Sequence, residues 1–127
     1  MKFKYTILYV NNVVDTLNFY QQAFGFKTKM LHESAEYGEL DTGETTLSFS
    51  TFELMKELGK NPSEAKINSP AFEIALETEN VSEALSKAIA AGATLVQETS
   101  DMPWGQTIAY VSDINGFLVE LCTPITV

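Results

Sequence analysis

The sequence holds a single cysteine, Cys122, and a single histidine, His32, in 127 residues. A lone cysteine excludes an intrachain disulfide. A lone histidine excludes any metal site that needs two imidazoles. No apolar run approaches the length that spans a bilayer. Met1-Lys2-Phe3-Lys4 alternates charge with apolar residues and no long apolar stretch follows, so no signal peptide is expected. The chain also lacks a nucleophile-elbow pattern, a Gly-rich phosphate loop and any low-complexity segment. Positive charge is scarce, with eight Lys and Arg against seventeen Asp and Glu and a formal charge of −9. Such a surface repels phosphate backbones and anionic headgroups, so neither nucleic acid nor a membrane is expected as a partner. The acidity either helps a cationic ligand or only keeps the protein soluble. Taken together, these features suit a cytoplasmic protein.

Hydrophobic residues make up 45% of the chain, enough to build a core. The length suits one domain, 1–127, with no disulfide needed to hold it. That domain reads as two halves, approximately 1–58 and 70–127, written on one pattern. At the offset that carries Tyr5 onto Glu73, Leu8 meets Leu76, Asn12 meets Asn80, Val13 meets Val81 and Leu17 meets Leu85. A repeat of this kind marks duplicated supersecondary units. Each half begins with a β-type run and continues as a helix. Asn12 and Asn80 stand where an N-cap is wanted, and Asp15 and Glu83 follow near the positive end of the helix dipole. Val13, Leu17, Tyr20 and Phe24 share one helical face in the first half. Val81, Ala84, Leu85, Ala88 and Ile89 do the same in the second. Gly25 and Gly92 follow, in the place of a left-handed terminator.

Three β-type runs follow each helix. They lie near Phe26–Leu31, Glu36–Asp41 and Thr45–Thr51, and near Thr94–Glu98, Gln106–Val111 and Phe117–Cys122. Asp41-Thr42-Gly43-Glu44 and Asp113-Ile114-Asn115-Gly116 are tight-turn sequences before the last strand of each half. Phe52–Leu58 reads as a short helix, and Gly59 to Pro70 as a polar connector.

Several segments together carry a family resemblance. Val10-Asn11-Asn12 leads into Leu17-Asn18-Phe19-Tyr20 and then Phe24-Gly25-Phe26. Pro103-Trp104-Gly105 and Asp113-Ile114-Asn115-Gly116-Phe117-Leu118-Val119-Glu120-Leu121 follow toward the C-terminus. With these, the whole chain resembles the glyoxalase/bleomycin resistance protein/dioxygenase superfamily, the vicinal oxygen chelate fold. The resemblance implies an α+β fold of two tandem βαβββ modules, a curled mixed sheet around a cleft. It also implies a homodimer, with modules paired within one chain or exchanged between two.

Metal-dependent members of that superfamily place four ligands on four strands: His or Gln, then Glu, His and Glu. Carried over without gaps, these positions fall on Tyr5, Ser48, Glu73 and Glu120, of which only Glu120 matches in type. Tyrosine and serine are weak neutral donors, and two glutamates hold a hard ion only loosely. No metal or other cofactor is therefore expected. A divalent metal is disfavoured, with Glu73 and Glu120 its only candidates. His32 aligns with no ligand position and reads as a solvated strand end. Cys122 reads as a small buried hydrophobe.

With that alignment, strand alternation puts Tyr5, Ser48, Glu73 and Glu120 on the concave faces that the resemblance implies. Two carboxylates there suit an amine or guanidinium group, or a base acting on a carbon acid. They are equally compatible with satisfaction by neighbouring hydroxyls or backbone. Trp104 either stacks on a planar or cationic ligand or packs against the sheet or a partner chain. The first expectation is a metal-independent binding protein, similar to bleomycin-resistance-type members, for a hydrophobic or cationic small molecule bound by Tyr5, Ser48, Glu73, Trp104 and Glu120. The alternative is a glyoxalase-like lyase or isomerase acting on a small carbonyl or thioester compound, with Glu120 and Glu73 as catalytic bases or metal ligands.

Overall fold

The computed structural model describes residues 1–125, and the chain divides into two compact units, Met1–Glu64 and Ala65–Val127. The first unit runs β1 (Tyr5–Val10), α1 (Val13–Phe24), β2 (Lys27–Leu31), β3 (Tyr37–Asp41), β4 (Thr46–Thr51) and α2 (Phe52–Glu57). The second repeats the order as β5 (Glu73–Glu77), α3 (Val81–Ala90), β6 (Thr94–Asp101), β7 (Thr107–Ser112) and β8 (Leu118–Cys122). Each unit forms one four-stranded sheet, β1-β4-β3-β2 and β5-β8-β7-β6. In both, the first strand pairs in parallel with the last, and the other pairings are antiparallel. This is the α+β, twice-built βαβββ plan that the repeat predicts.

Local chemistry explains where the helices start and stop. The Asn12 side chain accepts the Asp15 backbone N–H at 2.9 Å, and the Asn80 side chain accepts that of Glu83 at 3.1 Å. Each satisfies an N–H that the first helical turn leaves without a partner. Helix α1 ends at Gly25, left-handed at φ 79°, whose N–H donates to the Gln21 carbonyl. Helix α3 closes on Ala91, and Gly92 takes the positive φ one residue later.

Helix α1 buries Val13, Thr16, Leu17 and Tyr20 on the sheet. Its approach requires glycine at position 38, where a Cβ would lie 2.8 Å from Leu17 Cδ1 and 3.0 Å from Val13 Cγ1. The Tyr20 ring packs 5.1 Å from that of Phe49, with Phe19 and Phe24 completing an aromatic cluster. The second unit packs Val81, Leu85 and Ala88 of α3 with an aliphatic sheet in which Ala109, Val111, Val119 and Leu121 are buried.

Most strand ends fall within a residue of the sequence reading. The exception is β6, which continues to Asp101 rather than ending at Glu98. Register shifts between Leu95 and Gln97, and again between Gln97 and Ser100, keep it paired with β7 as far as Asp101↔Thr107. Bulges hide from a simple alternation count, because each adds an unpaired residue. The short helix over Phe52–Leu58 ends at Glu57, with Leu58 as its C-cap. Among the described residues, no helix is long and apolar enough to cross a membrane.

Candidate functional site

Each sheet has one face under its helix and one face away from it. In the first unit, Phe49 and Gly38 lie under α1, so alternation turns Ser48, Ser50, Tyr37 and Glu39 to the opposite face. The register aligns Ile7 with Ser48 and Ser48 with Glu39, then Tyr9 with Ser50 and Ser50 with Tyr37. Tyr5 shares this face, two residues before Ile7. In the second unit the corresponding face carries Glu73, Ala75 and Glu77 on β5, and Leu118, Glu120 and Cys122 on β8. On β7 it carries Ile108, Tyr110 and Ser112. Ala75, Glu120 and Tyr110 lie in one row across three strands.

The row in the second unit has the stronger polar chemistry. The Tyr110 hydroxyl donates to Glu120 Oε2 at 2.6 Å. That bond pushes the Tyr110 phenol well above its usual ionisation range. Burial and the charges of Glu120 and Glu73 push the same way. Tyr110 is therefore a fixed donor at neutral pH. The Cys122 thiol is raised first by burial and then by Glu120, Glu77 and Glu73. It donates to the Leu76 carbonyl, and a thiol raised in this way forms the nucleophilic thiolate less readily.

The first unit holds a pair of the same kind. The Tyr37 hydroxyl donates to Glu39 Oε2 at 2.7 Å. Burial raises the Tyr37 phenol, the Ser48 hydroxyl opposes that rise, and Glu39 adds to it. Ser48 is fully buried, and its Oγ donates to the Thr6 carbonyl at 3.2 Å. Tyr5 is exposed, with the Lys4 ammonium 5.8 Å from its ring centre. Lys60 stands in the same way over Tyr9, at 5.9 Å.

Trp104 sits at the tip of the β6–β7 hairpin, 61% exposed. Its indole N–H donates to Gln106 Oε1 at 2.8 Å, and Gln106 Nε2 donates to the Thr123 carbonyl at 2.9 Å. Two further bonds brace the hairpin: Met102 N–H to the Gln106 carbonyl at 2.7 Å, and the Thr107 hydroxyl to Asp101 at 2.8 Å. The indole is thus held in one orientation while its surface stays open to solvent. His32 is exposed, and its Nδ1 lies 2.8 Å from the Ser34 hydroxyl.

The structure thus brings Glu73 and Glu120 onto one face with Tyr110, and Tyr5 and Ser48 onto another with Tyr37 and Glu39. Sequence reasoning missed Tyr37, Glu39 and Tyr110. One signal was available: counting back from the Asp113–Gly116 turn sets Tyr110 opposite Glu120. The Tyr37-Gly38-Glu39 spacing likewise puts tyrosine and glutamate on one side of a strand.

The superfamily's metal does not fit these residues. Its four positions offer an exposed phenol, a buried hydroxyl committed to Thr6, the Glu73 carboxylate and a Glu120 carboxylate bonded to Tyr110. Among the described residues, no three His, Cys, Asp or Glu side chains gather as a metal-holding group.

Comparison with known proteins agrees with this architecture. The profile of the Glyoxalase-like domain family matches residues 3–126. No curated protein matches the chain. Among solved structures, a glyoxalase-related enzyme from Fulvimarina pelagi is similar at TM-score 0.84 and 17% identity, covering 98% of this chain and 88% of that one. A glyoxalase/bleomycin resistance protein/dioxygenase family enzyme from Burkholderia phytofirmans PsJN is similar at TM-score 0.82 and 22% identity, covering 99% and 100%. The hypothetical protein SA1046 from S. aureus reaches TM-score 0.83 at 19% identity, covering 98% and 95%. At these identities the likeness is one of fold.

Proposed function

The chain belongs to the Glyoxalase-like domain family, and from that premise we propose that it is a metal-independent binding protein for a small hydrophobic compound bearing a cationic nitrogen. The observation that carries this reading is Glu120, a half-buried carboxylate clamped by Tyr110 at 2.6 Å, with Glu73 on the same face. A partly desolvated carboxylate gains most from a charged donor. Tyr110 occupies Oε2 and cannot readily ionise, so it remains a donor over the neutral range. All eight basic residues are lysines, so the chain has no guanidinium to grip a carboxylate or phosphate in bidentate fashion. Trp104, held by Gln106, adds an aromatic surface suited to a planar or cationic group. In this reading the protein works in the cytoplasm as a homodimer, the assembly the family resemblance implies.

The test is a titration with benzylamine, followed by Trp104 fluorescence and by melting temperature, since a ligand of the folded state must raise the melt. Saturable binding that Glu120→Gln weakens about tenfold or more is expected, because a hydrogen bond to a charged group contributes about 1.5–3 kcal/mol. Binding to Glu120→Gln at unchanged affinity removes the reading. The same carboxylate allows a second reading, in which Glu120 takes a proton from a small carbonyl or thioester compound. Turnover that vanishes in Glu120→Gln while the fold persists would favour that alternative.

A further inference from the structure

The bulges of β6 decide which of its side chains join the face that carries Glu120. Thr94 lies opposite Ser112 and Leu95 opposite Val111. Unbroken alternation from there would set Val96 opposite Tyr110 and Glu98 opposite Ile108. The two register shifts set Gln97 and Ser100 in those places instead. Directly opposed residues of an antiparallel pair share a face. Gln97 therefore extends the row of Ala75, Glu120 and Tyr110 across all four strands, on the side away from α3.

The exchange alters the chemistry of the face. An apolar side chain and a further carboxylate are turned out of the two places, and a primary amide and a hydroxyl enter. The face is divided as a result: Glu73, Glu77 and Glu120 stand on β5 and β8, and neutral hydrogen-bonding groups stand on β6. Bulges of this kind re-aim side chains beside binding sites. The first unit has the first of these bulges, between Thr28 and Met30, and it sets Met30 opposite Glu39. Glu39 holds the row position of Tyr110, so Met30 is the counterpart of Gln97. One backbone device thus presents a thioether in one unit and an amide in the other, and the bulge itself does not call for the amide.

We propose that Gln97 is a specificity-determining residue of the Glu120 site, and that the ligand is an amine with a neutral hydroxyl group at its far end. This rests on the reading of Glu120 as an amine site. Two strand spacings separate β8 from β6, about 10 Å of backbone. The Glu120 and Gln97 side chains shorten that gap to the length of a phenethylamine. A primary amide both donates and accepts, as a hydroxyl does, so the two are matched in either direction.

The experiment uses the full chain labelled with nitrogen-15, titrated with tyramine hydrochloride and, as the control without a hydroxyl, phenethylamine hydrochloride. The Gln97 side-chain amide signal is assigned by its loss in Gln97→Met, which puts there the residue that the first unit carries. Tyramine should bind about three- to tenfold more tightly than phenethylamine, the size of one neutral hydrogen bond, and it alone should shift the Gln97 amide saturably. Gln97→Met should abolish the advantage of tyramine while phenethylamine binds at its wild-type affinity, which also shows that the variant is folded. Equal affinities in the wild type overturn this proposal and leave the Glu120 reading standing. An advantage that survives Gln97→Met overturns it too, because another group then reads the hydroxyl. Equal weakening of both amines by Gln97→Met would reduce Gln97 to a structural role. Absence of binding by either amine removes both readings.

Discussion

The two units share strand order, pairing and helix caps, yet fill those frames with different side chains. Helix α1 carries Phe19, Tyr20 and Phe24, which form an aromatic cluster with Phe49 of the sheet. The sheet of the α3 unit is covered by alanine, valine and leucine, among them Ala109, Val111, Val119 and Leu121. The outward faces differ as well. On the strand that pairs with the first in each unit, buried Thr46, Ser48 and Ser50 stand in the one where Leu118, Glu120 and Cys122 stand in the other. The frame thus depends on apolar alternation and caps, and the inner and outer faces vary independently of each other. A binding face can change its chemistry in such a fold without disturbing the packing that positions it.

The sharpest test of the packing difference is a pair of truncations. Phe49 is fully buried against Tyr20, so Phe49→Ala should cost about 3–5 kcal/mol. Val119 is equally buried, but Val119→Ala removes only two methyl groups, roughly 2 kcal/mol from transfer and cavity together. Urea denaturation of the two variants reads the gap directly. Equal losses would mean that the aromatic cluster is no more tightly coupled to the fold than its aliphatic counterpart.

The two tyrosine–glutamate pairs can be separated by pH. Tyr110 is raised mainly by its bond to Glu120, and Tyr37 mainly by burial. Both phenols bind their protons more tightly in the folded protein than in the unfolded chain, where tyrosine ionises near 10. The stability they contribute is therefore complete below pH 10 and is lost as pH rises through their folded values. Ultraviolet titration, with Tyr37→Phe and Tyr110→Phe to assign the signals, should resolve both late ionisations. Glu120→Gln should bring the Tyr110 ionisation down strongly, while Glu39→Gln should move Tyr37 less, because burial remains. Equal displacements would show that burial dominates neither pair.

Much of the frame was legible because its signals are local. Asn12, Asn80, Gly25 and the Asp113–Gly116 turn each act within about four residues, and each does in the structure what its type predicts. That Ser48 and Glu120 lie on the sheet face away from the helix follows from alternation. Three things needed pairing across the chain. The Tyr110–Glu120 bond depends on the β7–β8 register, the burial of Ser48 on its central strand position, and the extra length of β6 on its bulges. Glu39 escaped notice because it aligns with no superfamily ligand, and a lone glutamate in an alternating strand reads as a solvated residue.

The smallest expected difference lies in the caps. Asn12 and Asn80 each accept an N–H from the third residue onward, so Asn12→Ala and Asn80→Ala should each cost about 1 kcal/mol. Asn80 makes one bond more: its Nδ2 donates to Glu83 Oε2 at 3.3 Å. Aspartate caps a helix as well as asparagine does, but it replaces that donor with an anionic oxygen facing the Glu83 carboxylate. Both aspartates face an acidic residue three positions on, Asp15 or Glu83, but only Asn80→Asp also loses a hydrogen bond, so it should cost a few tenths of a kcal/mol more than Asn12→Asp. The charge repulsion in both variants should shrink in high salt, because the carboxylates are exposed and screening acts fully on them. Equal stabilities for the two aspartate variants in low-salt urea melts would mean that the Asn80–Glu83 bond contributes nothing, and that the two caps are energetically the same device.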